Sequence, residues 1–121
     1  MPDNVYELDG VRVIEYEADG RPIRTGQDAI DLIGEARSHQ ADIVVISVER
    51  LGDEFFRLRT GIAGEVIQKF VTYGVRLAIL GDISRHLSQS SALRDFVREA
   101  NEGSRCVFVT NREEIRNSTA R

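Results

Sequence analysis

Apolar residues recur along this chain in two different periods, and the switches between them predict its elements. Val5-Tyr6-Glu7-Leu8 and Val11-Arg12-Val13-Ile14-Glu15-Tyr16 are rich in β-branched and aromatic residues, the composition of strands. Asp9-Gly10 lies between them, a dipeptide that takes the positive φ angles of a tight hairpin turn at little cost. Asp19-Gly20 followed by Arg21-Pro22 ends the second strand. Ile43-Val44-Val45-Ile46 and Leu77-Ala78-Ile79-Leu80 are unbroken apolar runs, as expected of parallel strands covered on both faces. A further strand falls at about Arg105 to Val109.

The intervening segments change to a period of three and four. Ala29, Leu32, Ile33 and Ala36 place one apolar stripe on a helix from about Thr25 to Ser38. Thr25 and Asp28 are spaced as a capping box. Ile62, Ala63, Val66, Ile67, Phe70 and Val71 predict a helix over Thr60 to Tyr73, with Gly74 where a left-handed C-terminal cap belongs. Ser90 or Ser91 caps a third helix with the face Leu93, Phe96, Val97 and Ala100, closed by Gly103. Asn111 and Glu114 open a short last helix, and Asn117 to Arg121 is polar enough to fray. The expected fold is therefore α/β: a single domain over residues 1–121, an N-terminal hairpin followed by alternating strands and helices, and a mixed, mostly parallel sheet.

Composition narrows the function classes. The chain has 121 residues, 41% hydrophobic and 30% charged, enough for one core. Its net charge of −4 repels phosphate backbones, so no nucleic acid is expected as a partner. No apolar run approaches the roughly 20 residues that span a bilayer, so no membrane partner is expected either. Met1-Pro2-Asp3-Asn4 lacks the basic and apolar regions of a secretory signal, which points to the cytoplasm. The single Cys106 lies in an apolar run and reads as packing. With two histidines and one cysteine at no zinc-ligand spacing, neither a metal nor another cofactor is expected.

The segment Phe55-Phe56-Arg57-Leu58-Arg59-Thr60-Gly61-Ile62-Ala63-Gly64-Glu65, with Gly81-Asp82-Ile83-Ser84 and Ser91-Ala92-Leu93-Arg94-Asp95-Phe96, resembles a family of small bacterial proteins catalogued as domain of unknown function 4180. The resemblance covers nearly the whole chain and implies no particular activity. The element order is also similar to STAS domains of the anti-sigma-factor-antagonist type. In those domains a serine at the start of the helix after the central strand is phosphorylated to switch binding of a partner. That resemblance implies Thr60 as a phosphoacceptor candidate, in Arg57-Leu58-Arg59-Thr60-Gly61-Ile62 where the STAS motif reads Asp-Ser-Ser-Gly-Leu-Gly.

Open α/β sheets bind ligands beyond the carboxyl ends of their strands. The loops expected there are Ser47 to Thr60, Gly81 to Ser90, and Thr110 to Asn111. Arg57, Arg59, Asp82, Ser84 and His86 are the ligand-binding candidates, and Glu49, Arg50 and Arg85 are further polar residues of the same loops. Asp82, Ser84 and His86 have the residue types of a nucleophilic triad, but so close along one loop they read as turn and cap residues. The resulting expectation is a non-enzymatic regulatory or protein-interaction module of STAS-like type, with another protein as its partner. The alternative is a small anionic-ligand-binding protein or minor enzyme that uses the strand-end loops. A well-formed pocket there favours the alternative.

Overall fold

Asp9 and Gly10 take φ angles of +51° and +84°, the twist that turns β1 (Asn4–Leu8) directly back into β2 (Val11–Tyr16), with Leu8 opposite Val11. The computed structural model describes residues 4–103 and 105–119, the last two by backbone alone. Expectations for Met1-Pro2-Asp3 and for Ala120 and Arg121 lie outside the described residues. After β2 the chain forms α1 (Gly26–Ser38), β3 (Ile43–Ser47), a 3-10 turn at Val48–Arg50, α2 (Gly52–Phe55) and a second 3-10 turn at Leu58–Thr60. There follow α3 (Ile62–Tyr73), β4 (Arg76–Leu80), α4 (Ser84–Leu87), α5 (Ser91–Glu102), β5 (Cys106–Val109) and α6 (Arg112–Thr119). The chain forms a single small α/β domain whose five-stranded sheet has the order β1-β2-β3-β4-β5. β1 pairs antiparallel with β2, and the other neighbours are parallel.

Because each right-handed crossover steps one strand in the same direction, the crossing helices must collect on one face. They do: Ala29, Ile33 and Ala36 of α1, Ala63, Val66 and Phe70 of α3, and Leu93 and Val97 of α5 pack on Ile14, Tyr16, Val44, Ile46, Leu77, Ile79 and Phe108. Burying a side chain such as Phe70, 1% exposed, is worth about 2–3 kcal/mol. The opposite face gathers Val13, Ile43, Val45, Ala78, Val107 and Val109 under Ile115 of α6.

A buried carboxylate helps hold α6 in place. Glu15 points to the back face and is 2% exposed, a position that is costly for a charge unless it is paired. Arg112 of α6 grips it with two guanidinium nitrogens, Nε to Oε1 at 3.0 Å and Nη2 to Oε2. The Tyr6 hydroxyl donates to Oε1 at 2.8 Å. Burial, then the bond to Glu15, pushes the Tyr6 phenol up to about 12. Arg116 reaches Asp9 in the hairpin turn at 3.4 Å, so the hairpin and α6 meet on this face.

Two local features differ from the periodic reading. Helix α3 starts at Ile62, and its N-cap is Gly61 in the left-handed region at φ +78°. Thr60 closes the preceding 3-10 turn instead. The segment between β3 and α3 is also not a plain loop, since two 3-10 turns and α2 fold it tightly over the sheet end. Phe55 and Phe56, 1% and 4% exposed, anchor that segment in the core.

Candidate functional site

The connections after β3 and β4 meet through an aromatic stack. Phe55 and Phe56 contact edge-to-face, with centroids 5.0 Å apart. Phe56 then lies flat against the imidazole of His86 from α4, at 4.4 Å and an interplanar angle of 16°. Arg85 Nη2 crosses the same gap to donate to Asp53 Oδ1 at 2.7 Å. His86 Nε2 stands 3.8 Å from that oxygen. These contacts frame an open cavity of about 650 Å³ whose walls include Asp53, Phe56, Arg57, Arg59, Arg85 and His86.

Its electrostatics are one-sided. Three guanidinium groups, of Arg57, Arg59 and Arg85, face one carboxylate, Asp53. Arg85 spends part of its charge on Asp53, but both side chains are more than half exposed, so that pair is weak and screened by salt. Among the described residues, Arg57 and Arg59 have no hydrogen-bond or ion-pair partner for their side chains. Burial against Phe56, followed by the charges of Arg85 and Arg57, lowers the His86 pKa below its ordinary value, with Asp53 opposing. At neutral pH the ring is an uncharged hydrogen-bonding group. The arrangement can therefore accept negative charge through arginine forks while offering one neutral imidazole.

The structure brings together three of the ligand-binding candidates picked from sequence, Arg57, Arg59 and His86, with Arg85 of the further polar residues. Asp82 and Ser84 stand outside the cavity wall. Asp82 accepts the Ser84 backbone N–H at 2.9 Å, which holds its carboxyl below the usual range and starts α4. Among the described residues, no hydrogen bond joins His86 to Ser84 or Asp82, so these three do not form a relay. Thr60 is exposed, and its hydroxyl faces the carbonyls of Glu54 and Arg57 at 2.9 and 2.8 Å while accepting the Ile62 N–H at 3.3 Å. Asp53 and Phe56 were missed by sequence reasoning. The Phe55-Phe56 pair inside a charged segment was their available signal.

Cys106 is buried, and burial pushes its thiol up to about 12, which leaves it protonated and unreactive. Among the described residues no group of three His, Cys, Asp or Glu side chains is placed to hold a metal ion. No helix among them is long and apolar enough to cross a membrane.

Comparison with known proteins brings one assignment. No curated protein and no solved structure matches the chain. A family described as a domain of unknown function, DUF4180, matches residues 8–118. That match takes in the hairpin turn, every crossover and both connections that frame the cavity, and the chain belongs to the DUF4180 family.

Proposed function

We propose that this domain is a non-catalytic binding module for an anionic group, taken up in the cavity between the β3 and β4 connections. One observation carries this reading: three arginines, two of them without a side-chain partner among the described residues, converge with a neutral imidazole around a single carboxylate. Arginine forks recognise sulfate, phosphate and carboxylate oxygens in pairs. The Phe56–His86 stack supplies a flat wall for the part of the ligand that carries the charge. No residue of the cavity has the nucleophile–base geometry of a hydrolytic site, which favours binding over turnover.

The test is a titration with sodium sulfate, then phenyl phosphate, followed by amide chemical shifts. Saturable shifts confined to Arg57, Arg59, His86 and Gln89, and lost in a folded Arg57→Ala/Arg59→Ala variant, support the reading. Shifts that do not saturate, or that spread over the surface, overturn it.

A regulatory module of STAS-like type, with Thr60 as phosphoacceptor and another protein as partner, is the second reading. It is favoured by the exposure of Thr60 two residues before α3 and by its closeness in sequence to Arg57 and Arg59. Its difficulty is that the Thr60 hydroxyl closes the turn over Glu54 to Thr60, so phosphorylation must reopen that turn. Mass spectrometry of the native protein tests it: an unmodified Thr60 under all growth conditions removes it.

A further inference from the structure

The end of β2 carries another cavity, which shares no residue with the first. The loop after β2 folds back over Arg50, the last residue of the 3-10 turn behind β3, and the Ile23 amide donates to the Arg50 carbonyl at 2.8 Å. Arg50 is 8% exposed. Its guanidinium carbon lies 5.8 Å from the centre of the Tyr16 ring, and Nε donates to the Asp19 carbonyl at 3.4 Å. Among the described residues no carboxylate comes within ion-pair distance of it, and neither Nη has a hydrogen-bond partner. Buried charges are ordinarily paired.

The unpaired nitrogens are nevertheless not sealed in, since no buried polar side-chain atom among the described residues lacks a partner. Arg50 lines a cavity of about 460 Å³. The fold protects this arrangement. Gly20 has φ +140°, a backbone conformation that strains any other residue, and a Cβ there would push the Arg50 guanidinium aside.

The rest of the wall has the opposite sign. Arg21 and Arg50 face Asp19, Asp28, Asp31 and Glu35, two cations against four carboxylates. A bare anion is drawn to Arg50 but repelled by the wall as a whole; a bare cation meets Arg50. A ligand that satisfies both parts carries both charges. Asp28 is committed to the α1 capping box, and Glu35 accepts from the Tyr16 hydroxyl. Asp31, exposed and bonded to Gln27 at 3.0 Å, is the carboxylate best placed to exchange a neutral partner for a cation.

We propose that this cavity is a second binding site, for a small zwitterion whose carboxylate pairs with Arg50 and whose ammonium group pairs with Asp31. The proposal is independent of the anion cavity beside His86.

The probes are the zwitterions glycine, γ-aminobutyrate and δ-aminovalerate, with butyrate and n-butylamine as the corresponding single charges. Binding is read from the amide chemical shifts of Gly20, Ile23 and Leu32. At least one zwitterion is expected to give saturable shifts there, with butyrate and butylamine each weaker by about fivefold, the worth of one partly exposed ion pair. Asp31→Asn alters an exposed side chain and should leave the fold intact. It should weaken the zwitterion by about the same factor and leave butyrate unchanged. Arg50→Met should abolish zwitterion and butyrate shifts together, with folding confirmed by the amide spectrum. The proposal is overturned if no zwitterion saturates, if butyrate binds as tightly as γ-aminobutyrate, or if Asp31→Asn changes nothing.

Discussion

The cavity beside His86 displays its arginines on exposed side chains, whereas the cavity at the end of β2 holds its central arginine at 8% exposure under a glycine. The first has three guanidinium groups against one carboxylate, the second two against four. They are built from adjacent connections of one sheet, so the contrast is not a property of the fold. It comes from when the charge is desolvated. Exposed arginines remain hydrated until a ligand arrives, and each adds a modest, salt-sensitive increment to binding. A buried guanidinium has lost much of its water during folding, so its ligand finds a prepared partner and meets less of that cost.

The largest expected difference between the two regions is in stability. Gly20→Ala should destabilise the protein by about 2–3 kcal/mol in urea unfolding, because strained backbone and a clash with Arg50 act together. Gly61→Ala, with φ +78° but open space around the added carbon, should cost only about 1 kcal/mol. Equal losses would show that the Gly20 loop does not rest on Arg50.

Next in size is the separation of binding from folding at the exposed arginines. Arg57→Ala/Arg59→Ala should lower sulfate affinity by about thirtyfold, roughly 1 kcal/mol for each charge. The unfolding midpoint should hardly move, since surface substitutions typically fall within about 0.5 kcal/mol. A large loss of stability would mean that these arginines are structural.

A pH series sharpens the comparison further, because it involves His86 and should leave the Arg50 site untouched. The folded protein holds His86 neutral, with its pKa below the ordinary 6.5. Its contribution to stability is therefore fully present above about pH 6.5 and is lost as pH falls through the folded value. Sulfate reverses the preference, because an anion favours the imidazolium and raises the pKa in the complex. Calorimetric affinity for sulfate should rise as pH falls through the ordinary histidine range, then level off once the free site is itself protonated. His86→Gln should flatten that profile.

The smallest expected effect is the removal of the buried charge. Arg50→Met keeps the stem and discards an unpaired guanidinium, so stability should stay within about 1 kcal/mol of the parent, on either side. A loss of several kcal/mol would mean that the Tyr16 and Asp19 contacts hold the loop by themselves.

Much of the frame is legible in the chain. The runs at Ile43 and Leu77 announce buried parallel strands because alternation disappears when both faces are covered, and Asp9-Gly10 announces the hairpin. Helix α3 starts at Ile62 and not at the expected Thr60 because a 3-10 turn precedes it, and three-residue turns have no period to detect. The anion cavity was legible in part: Arg57, Arg59 and His86 belong to strand-end loops, whereas the Asp53–Arg85 bridge spans 32 residues and has no local signature. Arg50 was visible only as a polar loop residue. Its burial depends on Gly20, thirty positions earlier, and on Tyr16, whose place in β2 gives no hint of the guanidinium above it. Nothing local marks Glu15 as a buried ion-pair member, since its partner Arg112 is 97 residues away.

The sheet order β1-β2-β3-β4-β5 has a consequence for the growing chain on the ribosome. Each βα unit docks against the strand made immediately before it, so the sheet can lengthen at one edge in the order of translation, without waiting for distant sequence. The zwitterion cavity is complete in sequence once Arg50 has emerged, and the anion cavity once Ala92 has emerged. Glu15, by contrast, must wait until Arg112 has emerged. Until Arg112 and Ile115 appear, the back of the sheet lacks the guanidinium that grips Glu15 and the side chain that covers its apolar face.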